Sequence, residues 1–203
     1  MPPLLILAST SPFRRQLLEK LRLPFSCMAP QVDESALPGE TPQALVQRLA
    51  RAKAEAIATQ QREALVIGSD QVAVIDGKIL GKPHTHERAC AQLQQASGRR
   101  VRFMTGLALA MPARRTRVVI DFFDVQFRQL DSASIDRYLR LEEPYQCAGS
   151  FKSEGLGITL FESLHGDDPN SLIGLPLIRL VGLLRDAGVD VLTEAYGNCF
   201  DGQ

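Results

Sequence analysis

The chain has 203 residues, 45% of them hydrophobic and 23% charged, which is ordinary for a globular protein and enough to bury a core, with one domain as the default. Its 23 Lys and Arg match 23 Asp and Glu, so no net field points to nucleic acid or to a membrane surface. No apolar run approaches the ~20 residues of a membrane helix, the N-terminal apolar stretch lacks the basic residues that precede the core of a signal peptide, and four scattered cysteines (Cys27, Cys90, Cys147, Cys199) without a CxxC pair fit reduced thiols in a cytoplasm.

Leu4 to Ala8 is an apolar run of strand length. Ser9-Thr10-Ser11-Pro12 follows, and then a stretch with Phe13, Leu17, Leu18 and Leu21 on one helical face. Ser11 suits the N-cap and Pro12 the first helical position. Strand, hydroxyl-rich loop and helix make a place where backbone N–H groups can hold an anion. Arg14 and Arg15 stand in the first helical turn, where the helix dipole disfavours cations. Either an anion is expected there, or the turn is an exposed basic one. No GxxxxGK[ST] loop is present.

Phe25 to Met28 reads as a short strand, followed by a loop with adjacent carboxylates, Asp33 and Glu34. Thr41 then caps a helix from Pro42 to about Gln60, with Leu45, Val46, Leu49, Ala52, Ala56 and Ile57 on one face. Lys53 falls inside that face. It either snorkels to the edge or reaches a site where its charge is used. Leu65 to Ile67 is apolar, breaks at Gly68-Ser69, presents Asp70 and Gln71, and resumes as Val72 to Ile75. Asp76-Gly77 between apolar runs predicts a type I′ hairpin. Lys82 follows the returning strand, so one carboxylate and one ammonium stand at the rim of a sheet. Asp70 is either a turn cap or a group that holds a metal or activates water.

Thr85 caps a helix through Ala96, with Gly98 as its stop. His84 and His86 flank its start and read as surface residues. Val101 to Ala110 and Arg117 to Gln129 are strand regions. In the second, Phe123, Val125 and Phe127 alternate with polar residues, so one face is wet. Asp131 caps a helix with Ile135, Tyr138 and Leu139 inward. The small-residue stretch after Cys147 carries Phe151, Lys152 and Glu154. Ile158 to Phe161 reads as a strand and His165 to Asn170 as a loop. Gly174-Leu175-Pro176 starts the last helix, with Leu177, Leu180, Val181 and Leu184 inward. One domain is expected over residues 1–192, with residues 193–203 as a loose tail. Alternating strands and helices with antiparallel hairpins argue for an α/β protein with a mixed, twisted sheet. The absence of GxGxxG after a strand excludes a Rossmann unit.

The motifs Leu7 to Arg15, Val32-Asp33-Glu34, Lys53 in its helix, Gly68-Ser69-Asp70-Gln71, Gly81-Lys82-Pro83 and Gly174-Leu175-Pro176 together resemble the Maf family of nucleoside triphosphate pyrophosphatases. They occur in family order across nearly the whole chain. The resemblance implies an ITPase-like α/β fold, a mixed sheet flanked by helices with a cleft between two lobes. It also implies a divalent metal (Mg or Mn), cleavage of a nucleoside triphosphate to monophosphate and pyrophosphate, and a homodimer. Residue by residue, Ser9, Arg14, Arg15, Lys53 and Lys82 match the family's phosphate-binding positions. Glu34 and Asp70 match its acidic pair, and Asp70 the proton acceptor. Several cations and a metal would offset the charge of a leaving pyrophosphate. Asp70 could ligate the metal or draw a proton from water, and the sequence does not separate the two.

Three positions distinguish branches of the family. The pyrimidine-preferring branch has Arg, Thr and Gln where this chain has Phe13, Gln71 and Glu154. All three differ in the direction of the branch that hydrolyses 7-methyl-GTP. Methylation at N7 makes guanine cationic, so an aromatic ring gains a cation–π contribution of about 0.5–2 kcal/mol. Glu154 would add charge complementarity and accept from the base's N–H groups, with Gln71 as an amide contact. Relatives with Trp at the Phe13 position present a larger ring, and Phe13 also fits the apolar stripe of its own helix. The expected activity is hydrolysis of 7-methyl-GTP, removing modified nucleotides before RNA synthesis. The rivals are the same chemistry on dTTP or UTP, and a nucleotide-binding regulator of cell division without turnover. A nucleic-acid-binding domain has little support from a neutral chain.

Overall fold

The structure is a computed structural model and describes residues 4–200. In chain order the strands are β1 (Leu5–Ala8), β2 (Ser26–Met28), β3 (Leu65–Ile75), β4 (Lys78–Leu80), β5 (Arg100–Ala110), β6 (Arg117–Phe127) and β7 (Phe161–Gly166). The helices are α1 (Pro12–Glu19), α2 (Pro42–Ala58), α3 (His86–Ala96), α4 (Ser132–Glu142), α5 (Asn170–Ile173), α6 (Leu177–Asp186) and α7 (Val191–Phe200). The seven strands form one mixed sheet in the order β2-β1-β3-β5-β6-β7, with β4 paired to β3. β1 runs parallel to β2 and β3; β3/β4 and β6/β7 are antiparallel.

The chain groups into two compact units. The first comprises Met1–Gln71, Thr105–Asp121 and Gly174–Gln203; the second comprises Val72–Met104 and Phe122–Ile173. In the first unit, small side chains let α2 lie against the strands. Ala50, Ala54 and Ile57 pack on Ile6, Ala8, Val66, Ala108 and Ala110. The approach is closest at two glycines. A Cβ built on Gly68 would stand 2.2 Å from the Ala50 carbonyl oxygen, and one on Gly106 2.2 Å from that of Val46. The second unit has an aromatic core, in which the Phe151 ring meets Phe103, Phe127 and Phe161 edge-on at centroid distances of 5.3, 5.6 and 4.8 Å.

The local signals are realised where they are strongest. Ser11, Thr41, Thr85 and Asp131 each accept a backbone N–H at the start of α1, α2, α3 and α4. Asp76 and Gly77 have φ of 49° and 76°, as a type I′ turn requires. In β6, Phe123, Val125 and Phe127 are buried between less buried polar residues.

Several expectations are corrected. β3 does not break at Gly68-Ser69 but runs unbroken from Leu65 to Ile75, because Gly68 admits a helix rather than a turn. Ile158 to Leu160 belongs to a short 3-10 segment, Leu156–Leu160, held by a bond from the Thr159 hydroxyl to the Leu156 carbonyl at 2.7 Å. The strand begins only at Phe161 and takes in part of the expected loop. Val181 is 37% exposed while Leu183 is buried, so the inner face of α6 is rotated from the expected one. Where a loose tail was expected, α7 begins at Val191, capped by the Asp190 carboxylate, which accepts from the N–H groups of Leu192 (2.9 Å) and Thr193 (3.1 Å); residues 201–203 lie outside the described residues. Among the described residues no helix is long and apolar enough to cross a membrane.

Gly68→Ala forces a methyl into the α2 backbone and is expected to cost about 1–3 kcal/mol or more, as overpacking does. Gly81→Ala, where a Cβ meets nothing within 4 Å, is expected to stay within about 0.5 kcal/mol. Urea unfolding midpoints of the two variants check this.

Candidate active site

The close seat of α2 on β3 fixes the central contact. Side chains two apart on a strand share a face, so Asp70 points the same way as Gly68, toward α2. There it meets Lys53, whose ammonium lies 2.7 Å from Asp70 Oδ1 and 2.8 Å from Glu34 Oε1. Lys53 is 6% exposed and Asp70 7%. The lysine therefore does not snorkel. Its charge is spent between two carboxylates, and removing one member of such a buried pair typically costs about 3–5 kcal/mol.

The loop after β1 comes to the same end of the sheet. β1 pairs with β3 in the register Leu7↔Ile67, which, continued, brings Ser9 level with Ser69 and Asp70. Ser9 is buried, and its hydroxyl oxygen accepts from the Ser11 N–H at 3.1 Å. Ser11 in turn caps α1 by accepting from the Arg14 N–H. Arg14 is partly buried, and its Nε–H donates to the Gly174 carbonyl at 2.9 Å. Lost hydration lowers the Arg14 pKa, and the charges of Asp70 and Glu34 oppose that shift. This cation thus stands in the field of the same two carboxylates as Lys53. Arg15 does not join them. It pairs with Glu19 along the exposed side of α1 at 3.0 Å.

Sequence reasoning passed over the groups that hold these in place. Ser69 is fully buried, and its hydroxyl lies 2.9 Å from the Gly174 carbonyl and 3.1 Å from that of Gly106, the two acceptors sharing its one proton. One carbonyl, at a glycine with φ of 118°, thereby ties β3 to Arg14. The Glu34 loop is strapped by Arg48 on α2. Arg48 contacts both Glu40 carboxylate oxygens (2.7 and 2.8 Å) and donates to the Ser35 carbonyl (2.9 Å). Asp33 accepts from the Ser35 N–H at 2.9 Å. Those bonds hold the carboxyls of Asp33 and Glu40 below the usual range, Glu40 at about 2. The Pro38-Gly39 turn before Glu40 is the sequence feature that accompanies this strap.

Gln71 faces away from α2, and its amide donates to the buried Thr105 hydroxyl at 2.9 Å. Phe13 is only half-buried, since Leu17 and Leu18 carry the buried face of α1. Lys82 and Glu154 stand exposed on the second unit, where both charges act on the Cys147 thiol, whose pKa burial pushes up. His86, expected at the surface, is half-buried. Its ring nitrogens meet the Tyr145 hydroxyl at 3.1 Å and Asp136 at 3.0 Å.

Two carboxylates that both touch one ammonium have oxygens close enough to share one cation, which fits a divalent ion bound by hard oxygen ligands. Among the described residues no cluster of three or more His, Cys, Asp or Glu could hold a metal. Two carboxylates are as many as a magnesium-type ion needs from a protein when water and substrate phosphate complete its shell.

The profile of the Maf-like protein family matches residues 4–187. A protein of Pseudomonas syringae pv. tomato named 7-methyl-GTP pyrophosphatase is 62% identical over 93% of this chain and 99% of its own. Proteins of the same name from Nitrosococcus oceani and Pseudomonas aeruginosa are each 57% identical, over 94% and 93% of this chain and 96% and 99% of theirs. Among solved structures, the Staphylococcus aureus Ham1 protein overlays in part, with a TM-score of 0.46 at 16% identity over 75% of this chain and 88% of that one.

The Glu40 carboxyl, held by Arg48 well below the usual carboxylate range at about 2, contributes stability that is present above the unfolded pKa and lost as pH falls through the folded one. The strap is therefore expected to persist at pH 4 and open towards pH 2. Carboxyl-detected NMR titration checks this, and Arg48→Ala is expected to return Glu40 to the ordinary range.

Proposed function

The chain belongs to the Maf family, and on that premise we propose that it is a nucleoside triphosphate pyrophosphatase that converts 7-methyl-GTP to 7-methyl-GMP and pyrophosphate. The observation that carries this is the agreement of near-full-length relatives, 56–62% identical, in that name. Its service is to remove a modified nucleotide from the pool.

The reading gives each residue a task. Water attacks the α-phosphorus, and the bond to the leaving pyrophosphate breaks in line. Asp70 accepts the proton of the attacking water. With Glu34 it would also hold a divalent cation, which would supply positive charge to offset that of the phosphates. Lys53 and Arg14 supply positive charge beside these carboxylates, as the geometry of the pair and the field at Arg14 support. Ser9 and the N–H groups that open α1 receive a phosphate, as helix N-termini do. Arg15 and Lys82, both on exposed surface, would turn to phosphate when the nucleotide arrives. Phe13 offers a half-exposed ring to the cationic base. Gln71, oriented by Thr105, and Glu154 supply polar contacts to its edge.

Pyrophosphate release with magnesium or manganese across 7-methyl-GTP, GTP, UTP, dTTP and CTP tests this reading. The expected result is a strong preference for 7-methyl-GTP, with pyrophosphate as product. Preference for UTP or dTTP would overturn the base assignment, and binding without turnover the enzymatic one. Asp70→Asn is expected to lower kcat by about a thousandfold or more, as loss of a proton acceptor does, with an unchanged circular dichroism spectrum. Lys53→Met removes the ammonium from between the two carboxylates. It is expected to tighten manganese binding in the absence of nucleotide, read by electron paramagnetic resonance, while lowering turnover.

A further inference from the structure

Glu142 is the last residue of α4, where the helix dipole disfavours a carboxylate by about 0.3–1 kcal/mol. It is nonetheless mostly buried, with its side chain 18% exposed, and the segment from Lys152 to Gly157 is wrapped around it. Glu142 Oε2 accepts from the Leu156 N–H at 2.8 Å. The Lys152 ammonium donates to the Glu142 main-chain carbonyl at 2.7 Å and lies 3.7 Å from Oε1. One turn earlier on α4, the Tyr138 hydroxyl accepts from the Lys152 N–H at 3.1 Å. Burial pushes the Tyr138 pKa up, so the phenol stays neutral. Two glycines permit the wrap. A Cβ on Gly155 would stand 2.8 Å from Glu142 Oε2, and one on Gly157 2.2 Å from the Lys152 carbonyl oxygen. The Gly155 N–H closes the turn on the Lys152 carbonyl at 3.3 Å.

At the tip of this turn stands Glu154, exposed and contacted by the neighbouring Ser153 hydroxyl at 3.2 Å. Phe151 and Leu160 on either side are fixed in the core, whereas the turn between them is held through Glu142. That carboxylate occupies an unfavourable helix position and is offset by the loop it holds.

We infer that Glu142 is the positioning residue that sets the Glu154 carboxylate for recognition of the cationic base; this rests on the role proposed above for Glu154. Glu142 touches no substrate. It acts by fixing where the charge of Glu154 stands, and Gly155 is the small residue that lets it do so. A carboxylate free to wander loses much of its advantage for a cationic over a neutral base, because ordering it then costs side-chain and loop entropy on binding.

The test compares kcat and KM for 7-methyl-GTP and GTP in the wild-type chain, Glu154→Gln, Glu142→Ala, Glu142→Gln and Gly155→Ala. Glu142→Ala is expected to lower the preference for 7-methyl-GTP about tenfold, mainly through KM, and to match Glu154→Gln. Glu142→Gln retains an acceptor for the Leu156 N–H and is expected to keep most of the preference. A purely structural role would lower kcat for both nucleotides together and leave their ratio in place. If Glu142→Ala fails to fold, Gly155→Ala decides the matter, since its methyl displaces only the carboxylate end of a side chain. Loss of preference in Glu154→Gln with none in the Glu142 and Gly155 variants would overturn the inference. No loss in Glu154→Gln would instead overturn the reading of Glu154, and the inference with it.

Discussion

The close approach of one helix to two strands governs the first unit. Helices usually stand off a sheet by the depth of their side chains. Here α2 touches β3 and β5 at Gly68 and Gly106, where any side chain would enter the helix backbone. The alanines of α2 complete the seat. Because Asp70 lies two residues beyond Gly68 on the same face, the distance between helix and strand also sets the distance between Lys53 and Asp70. Packing, an apolar matter, thereby determines the geometry of an ion pair.

That pair is held at an energetic cost. An ammonium and a carboxylate out of water gain stability only when their geometry is good and their remaining capacity is used. Lys53 meets this by reaching Glu34 as well as Asp70. Arg14, placed against the dipole of α1, is compensated in the same way by the field of the two carboxylates and by the Gly174 carbonyl. Such concentrations of compensated charge suit a ligand that brings several negative charges and a cation.

Two loops carry acidic residues into solvent, and each is tied down from behind by a charged residue on a helix. Arg48 grips Glu40 and Ser35 beneath Glu34. Glu142 grips Leu156 and Lys152 beneath Glu154. Loops of this kind would otherwise pay ordering entropy each time a ligand bound. Fixing them through rigid helices moves that cost into folding.

Along the chain alone, local features are legible. Caps at Ser11, Thr41, Thr85 and Asp131, the Asp76-Gly77 turn and the alternation in β6 follow from rules that reach only a few residues along the chain. The order of motifs from Leu7 to Pro176 carried the family resemblance, and the lysine set in an apolar stripe marked Lys53. The remaining features arise from packing. Gly68 looked like a break in a strand because a glycine kept for close packing and a glycine kept for a turn are the same letter. Neighbouring residues could not tell whether Lys53 snorkels or pairs, nor that Arg15 would turn to Glu19. The Arg14 bond to Gly174 spans 160 positions and the Ser69 bond to the same carbonyl 105. Such contacts arise only when the sheet and its helices have packed, since they depend on which surfaces are buried together rather than on any pattern along the chain.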